Sequence, residues 1–263
     1  MNEEKVKNMS VKSAERVLKI FDLLAENING LTCKDISKKL GYASSSTFEL
    51  LKTLHENGYI LMTESKKYFL GTRLIRLGNI VNENLDIKNL IKPYLNEIMD
   101  ILLETTFLGM LSKNKIVYID KIQSSHTIST NADIGSLKPS YCTGLGKIIL
   151  AYMPEEKLDA ILKDIEMEKY TKNTITDKEE FKIKLNEYKK LGYAIDDEEI
   201  EEGLWCLSVP IFNSSGDVQL AISVSGPKER MLAKQELIKK TMLKKSKEIS
   251  LFLGFIDNNK RRG

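Results

Sequence analysis

Apolar residues recur at two periods along this chain, and the points where the period changes mark its elements. After Ser13, a candidate helix cap, Val17, Leu18, Phe21, Leu24 and Ala25 recur at helical spacing and stop in the Asn27–Gly30 turn. The stretch from Leu31 to Tyr59 then reads as two short helices around a tight turn. Thr32 is the first N-cap, with Asp35 three residues on as in a capping box, Ile36 and Leu40 share a face, and Gly41 ends the helix. Ser44, Ser45, Ser46 and Thr47 open the second helix, which carries Phe48, Leu50, Leu51 and Leu54 and stops at Asn57-Gly58. Two β-rich runs follow, Tyr59–Met62 and Lys67–Leu70, with Thr63–Lys66 as the turn between them. Three helices and a hairpin predict a winged helix-turn-helix over residues 13–70, whose second helix can enter a DNA major groove.

Leu74, Leu77, Ile80, Val81 and Leu85 make an apolar stripe on a linker helix predicted over residues 71–86, suited to a partner subunit or a neighbouring domain. From Ile87 the texture changes. A helix bearing Leu90, Pro93, Tyr94, Leu95, Ile98 and Leu102 precedes strands predicted at Thr105–Leu111, Ile116–Ile119, Thr127–Ala132, Cys206–Phe212 and Val218–Val224. Helices are predicted at Lys147–Met153, Glu155–Lys163 and Lys178–Leu191, with a final amphipathic one from Ala233 to Phe255. Hairpins with helices packed around them indicate a mixed α/β (α+β) sensor-type domain over residues 87–263. Residues 1–12 are polar and expected to be disordered.

Composition narrows the class. The chain has 263 residues, 42% hydrophobic and 29% charged, as in globular proteins. No apolar run approaches the ~20 residues of a membrane span, so no membrane partner is expected. The opening MNEEKVKNMS has acids and no apolar core, unlike a signal peptide, and three cysteines fit a reducing compartment, so a cytoplasmic location is expected. Net charge is +3, and all of it falls before the second domain: up to Leu85 there are 13 Lys and Arg against 10 Asp and Glu. That is a weak electrostatic footprint for a nucleic-acid binder.

Helix N-termini with added hydroxyls bind phosphate readily, which makes the Ser44–Thr47 cluster a candidate backbone contact, with Lys66 and Lys67 placed on the wing. The acidic run Asp196–Glu202 holds six acids in seven residues and reads mostly as a solvated loop. No His or Cys stands nearby at ligand spacing, so no metal site is expected. Gly144-Leu145-Gly146-Lys147 lacks the length and trailing Ser/Thr of a phosphate loop. It reads better as a turn into a helix whose N–H groups face a pocket and would bind a carboxylate. The two histidines, His55 and His126, have no nucleophile set beside them, so neither enzyme chemistry nor a cofactor is expected. Cys142 and Cys206 read as buried apolar thiols before redox switches, and Trp205 either closes the pocket or packs in the core.

Several motifs in order go further than a fold type: SAERVLKIFDLL, GYASSSTFELLKTLHENGY, YFLGTRLIRLG, PSYCTGLGKIILAYMP, TITD, and GYAIDDEEIEEGLWCLSVPIFN followed by AISVSGP. In these the chain resembles the IclR family of bacterial transcription regulators from about Val11 to Phe255. The run from Gly192 through Asp196, Glu199, Cys206 and Ser208 to Asn213 is similar to the family signature at every constrained position. The resemblance implies a winged helix joined by a helix to a GAF-like effector-binding domain. It also implies a double-stranded DNA operator, a homodimer or dimer of dimers, and a small-molecule effector, acting as repressor or activator. The DNA-facing set it implies is Ser44, Ser45, Ser46, Thr47, Phe48, Glu49 and Lys52, with Lys66 and Lys67 of the wing.

The resemblance further places Gly144, Leu145, Asp196, Leu204, Cys206, Ser223 and Ser225 around one cavity. Ser223 and Ser225, two apart on a strand, point the same way and can donate to carboxylate oxygens, which fits an organic acid or sugar acid. Asp196 would accept from a ligand hydroxyl and select hydroxylated acids. The chain departs from the family at Ala43, where a proline is usual, at Ser45-Ser46, where a Ser-Thr pair is usual, and at Tyr141, where a histidine is common. It also carries Glu49 where an arginine is usual, and a carboxylate there repels phosphate unless it accepts from a cytosine amino group. Glu49 and the weak basic charge motivate an alternative of another class: a small-molecule sensor that acts through protein partners without sequence-specific DNA binding.

Overall fold

The computed structural model describes residues 11–84 and 86–256. The chain separates into two compact units, the first ending at Leu85 and the second beginning at Asp86. The first unit runs α1 (Lys12–Glu26), β1 (Leu31–Thr32), α2 (Cys33–Leu40), α3 (Ser44–Glu56), β2 (Ile60–Met62), β3 (Lys67–Leu70) and α4 (Thr72–Asn84). The capping box on α2 is reciprocal: Asp35 N donates to Thr32 Oγ1 at 3.2 Å and Thr32 N to Asp35 Oδ2 at 3.1 Å. Gly41, at φ +67°, turns the chain between α2 and α3 in the left-handed region. Ile20, Leu24, Ile36, Leu51, Leu54, Ile60 and Tyr68 form the core. Sequence pattern did not show β1, whose two residues pair with β3 to give the sheet order β1-β3-β2.

Ser13 does not cap α1: the N-cap is Val11, without a side-chain bond, and Lys12 is already helical, which shortens the expected disordered tail. Residues 1–10 of that tail, Leu85 of the apolar stripe and the side chain of Val81 lie outside the described residues. On α4, Leu77 and Ile80 remain exposed.

The second unit runs α5 (Ile87–Leu102), β4 (Thr105–Ser112), β5 (Lys115–Ile122), β6 (Leu137–Pro139), α6 (Gly144–Ala151), α7 (Glu155–Asp164), α8 (Lys178–Leu191), β7 (Ala194–Asp197), β8 (Leu204–Phe212), β9 (Val218–Pro227), α9 (Lys228–Leu232) and α10 (Gln235–Phe252). Its six strands lie in the order β6-β5-β4-β9-β8-β7, every neighbouring pair antiparallel. Period-two alternation along β8 sends Trp205, Leu207, Val209 and Ile211 into one core, with Ile91 and Leu95 of α5 and Ile238, Met242 and Ile249 of α10. The opposite core joins Phe107 and Ala221 to Leu145, Ile148 and Ile149 of α6 and to Phe181 and Leu185 of α8. Trp205 therefore packs in the core and does not close a pocket.

Four local expectations change. Thr127–Ala132 is irregular, because its polar groups bond to side chains in place of a strand ladder. Gln123 Nε2 donates to the Thr130 carbonyl at 3.1 Å, and Arg230 Nη2 to the Ile128 carbonyl at 2.9 Å. The edge strands β6 and β7 exist through their pairing with β5 and β8, which no local pattern announces. The glycine-rich turn at Gly144 is itself the first turn of α6, so that helix starts three residues before Lys147. The last helix, expected from Ala233 to Phe255, runs from Gln235 to Phe252 as α10, and a short helix that the sequence did not show, α9, precedes it across a break at Ala233-Lys234. Buried Glu104 fixes the break by accepting Arg230 Nη2 at 2.7 Å and Lys234 Nζ at 2.8 Å.

Close approach explains Gly146: a Cβ there would lie 2.1 Å from the Ser140 carbonyl oxygen. Gly146→Ala must push α6 away from the Ser140 backbone in the loop before it and should cost roughly 1–3 kcal/mol or more. Gly41→Ala, in open space, should cost only about 1 kcal/mol for its left-handed backbone. Urea unfolding followed by the fluorescence of Trp205, the single tryptophan, checks the first. An unchanged midpoint for Gly146→Ala would show that the approach is not tight.

Candidate functional site

Two places in the fold gather the residues with functional chemistry. In the first unit, α3 buries Thr47, Leu51 and Leu54 and leaves Ser45, Phe48, Glu49 and Lys52 exposed along one face. The four hydroxyls at its start differ in fate. Thr47 is fully buried and donates to the Ala43 carbonyl at 3.1 Å, which removes it from the predicted DNA-facing set. Ser46 accepts from Arg16 Nη1 of α1 at 3.1 Å, and Ser44 Oγ lies 3.3 Å from Ser37 Oγ. Ser45 is exposed and points to solvent with no side-chain hydrogen bond among the described residues.

Arg16 was not singled out from the sequence. Its guanidinium sits 4.9 Å over the Tyr42 ring, which holds a cation beside the α3 N-terminus. Only its polar spacing within an otherwise ordinary amphipathic helix could have signalled it. On the wing, Lys66 is exposed at the turn with φ +56°, and Thr63 N donates to the Lys67 carbonyl at 2.9 Å to close the hairpin. Lys67 is half-buried, its ammonium 3.5 Å from the Asn29 carbonyl.

In the second unit the sheet register builds a row of polar side chains under α6. Asp196 of β7 pairs with Cys206 of β8, Cys206 with Ser225 of β9, and Ser225 with Thr105 of β4. Partners in register point to one face, so these residues stand side by side across four strands. The next row brings Ser208, Ser223 and Phe107 together. Gly144, Leu145, Asp196, Leu204, Cys206, Ser223 and Ser225, all seven residues expected around one cavity, line a single space of about 40 Å³. Phe107, Tyr118, Thr130, Thr143 and Ile200 complete its wall. None of these five stood out in the sequence, because each reaches the site by register or by loop path.

The wall offers mostly donors. α6 starts there, and the first N–H groups of a helix have no intrahelical partner. Thr143 caps one by accepting from Gly146 N at 3.3 Å, and Gly144 and Leu145, the first two residues of α6, line the cavity. Gly144 is a glycine because a Cβ would lie 2.6 Å from Ser208 Oγ. The Ser225 hydroxyl is 3.1 Å from that of Thr130.

The acidic run is not uniformly solvated: Asp196 and Glu199 are buried, while Asp197 and Glu198 pair with Lys228 at 2.8 Å and 2.5 Å. Lys147 of α6 is wholly buried, and its ammonium donates to Glu199 Oε1 and to the Ile195 carbonyl. Burial is the largest influence on that ammonium and works against its charge, but Glu199, Tyr188 and Asp196 together outweigh it and hold the lysine charged, above its ordinary pKa. Burial pushes Asp196 up to about 6 and Glu199 up to about 7, each against the pull of Lys147. Burial also pushes the Cys142 and Cys206 thiols up to about 12, which keeps both protonated and poor nucleophiles. Among the described residues no cluster of His, Cys, Asp and Glu is arranged to hold a metal, and no helix is long and apolar enough to cross a membrane.

Comparison with known proteins agrees with both regions. Residues 13–61 match the IclR helix-turn-helix domain, and residues 80–251 match the family described as bacterial transcriptional regulator IclR C-terminal. The HTH-type transcriptional regulator XynR of Escherichia coli is 36% identical over 216 residues, covering 82% of this chain and 86% of that protein. KdgR of the same organism is 34% identical over 220 residues, covering 82% and 83%. The crystal structure of Thermotoga maritima IclR superposes with a TM-score of 0.61 at 31% identity, over 93% of this chain and 99% of that one. These relatives are regulators and not enzymes. The chain belongs to the IclR family of bacterial transcriptional regulators, DNA-binding proteins with a helix-turn-helix domain and a C-terminal effector domain.

Proposed function

We propose that this regulator holds an operator through the exposed face of α3 and the wing, and that a small organic acid bound in the cavity under α6 modulates that binding. The observation that carries the reading is the convergence of seven residues, expected together from the sequence, on one donor-rich space. Backbone N–H groups of Gly144 and Leu145 and the hydroxyls of Ser223 and Ser225 suit a carboxylate. The DNA-facing set in this reading is Ser44, Ser45, Ser46, Phe48, Glu49, Lys52 and Lys66, with Lys67 and Arg16 beside it. Half-site spacing requires two winged helices, and the exposed Leu77 on α4 supports a homodimer seam. The cavity domain is of the GAF-like type in this reading.

Lys66→Ala should weaken DNA binding across all sequences and reduce the salt slope by about 1. Glu49→Arg should raise non-specific affinity. Titrations of a labelled duplex at several salt concentrations check both, and unchanged slopes and affinities would favour the sensor that works through protein partners. Leu77→Asp should yield monomers by sedimentation and abolish operator binding; a normal dimer would remove α4 from the seam.

For the cavity, calorimetry of the full chain with pyruvate, lactate and gluconate is the direct test. Losing a hydrogen bond to a charged group costs about 1.5–3 kcal/mol, so Ser223→Ala should weaken a true effector ten-fold or more. If the variant binds like wild type, the acid lies elsewhere.

A further inference from the structure

The cavity has a buried wall of charge behind it that does not balance. Lys147 is the cation that acts on Asp196 among the described residues, and two carboxylates, Asp196 and Glu199, stand against it, all three buried. Lys147 spends its donors on Glu199 Oε1 and the Ile195 carbonyl, with its ammonium 5.4 Å from the centre of the Tyr188 ring. Glu199 Oε2 has no partner among the described residues. Asp196 Oδ1 accepts the Glu199 N–H at 2.9 Å, the Ile200 N–H also lies against the carboxylate, and Asp196 lines the cavity.

Among the described residues, the other titratable groups that act on Asp196 are acids or uncharged. Asp197 follows it on β7. Cys142 before α6, Cys206 on β8 and Tyr118 on β5 all have pKa values raised by burial and stay neutral. With both carboxylates ionised, the set would carry one net negative charge at the wall of a space built to receive another.

We propose that the effector anion enters this cavity together with one proton, which settles on the Asp196 carboxylate and is donated from there to an effector oxygen. Asp196 is then a specificity-determining donor, and no longer the acceptor of a ligand hydroxyl expected from sequence. Atoms and charge balance: one anion and one proton enter, one O–H bond forms on the Asp196 carboxylate with no other covalent change, and the charge of the anion is offset by the proton gained. The inference rests on the organic-acid reading of the cavity.

The position of the carboxyls makes the linkage measurable. Burial already brings Asp196 to about 6 and Glu199 to about 7, so at pH 8 the free protein has given up the proton that binding requires. A bound anion raises the Asp196 value further. Binding should therefore be tightest below about pH 6 and weaken as pH rises, close to ten-fold per pH unit up to about pH 8. A simple carboxylic-acid ligand, with its own pKa near ~3.5, does not titrate in that window.

The experiment is calorimetry of the full-length chain with pyruvate, lactate and gluconate, at pH 5 and pH 8, in buffers of different ionisation heat. The expected result is uptake of nearly one proton per anion at pH 8 and nearly none at pH 5. Asp196→Asn, a mimic of the protonated side chain, should bind at pH 8 about as tightly as wild type does at pH 5, with no uptake. Glu199→Gln leaves Lys147 free to hold Asp196 ionised and should move the pH dependence to lower pH. Ser223→Ala should weaken binding but keep the proton. Binding by wild type with buffer-independent heat and a flat pH profile overturns the proton linkage and leaves the cavity reading standing. Failure of all three acids to bind at either pH overturns the cavity reading and this inference with it.

Discussion

The second unit depends on fitting a helix with no exposed residue against a sheet. All eight residues of α6 are buried, including Lys147. A lysine ammonium in that position is tolerated only with a partner, and breaking such a pair by removing one member costs far more than the pair contributes. Glu199 supplies the charge and Ile195 a carbonyl, both from the β7 segment. The pair therefore does more than neutralise: it ties the helix above the cavity to the edge strand that carries Asp196. Glycines on the same helix let it sit close enough for that reach, since side chains at Gly144 or Gly146 would meet Ser208 or Ser140. The sign of the cavity wall follows from this one contact, because Lys147 is committed to Glu199 and leaves Asp196 only partly compensated.

Much of this was legible because it is local. The helix predicted at Lys178–Leu191 has those same bounds in α8, where Asp177 accepts Glu180 N at 2.8 Å and Gly192 closes the end at φ +77°. The Thr32–Asp35 box and the wing hairpin are equally short-range. The cavity set came from ordered family motifs and not from periodicity. What the sequence hid depends on partners far away in the chain. β7 is a strand because β8 lies beside it, and Lys147 and Glu199 are 52 residues apart, so an acidic run that looks solvated hides a buried carboxylate. Thr127–Ala132 has strand-like residues, yet Gln123 and Arg230 satisfy its polar groups and leave it a loop.

In the first unit the same logic separates contact from support. Four hydroxyls at the start of α3 look equivalent in sequence, but helix geometry turns Thr47 into the core while Ser45 faces out. Arg16 then replaces part of the positive charge that Glu49 takes away from this surface, and its stacking on Tyr42 and its bond to Ser46 fix it there. Net charge alone made this unit look weakly basic. Where the cations stand is more informative than how many there are.

The size of the cavity constrains how occupancy can act. About 40 Å³ admits roughly one or two water molecules, so an acid of several carbons fits only when the wall yields. The strands and α6 are close-packed, which leaves the irregular segment that carries Thr130 and the one that leads into Leu204 at the start of β8. Those same residues border an outer cleft of about 290 Å³, formed by residues 128–131 and 201–204 with Pro227. Both segments are fastened to one short helix: Arg230 donates to the Ile128 carbonyl at 2.9 Å, and Lys228 N to the Gly203 carbonyl at 2.8 Å. Arg230 is in turn held by buried Glu104 at the break between α9 and α10. A ligand that parts the two segments must therefore load α9, and through Glu104 the start of α10. Entry to the cavity and the seating of the last helices are in this way one mechanical problem.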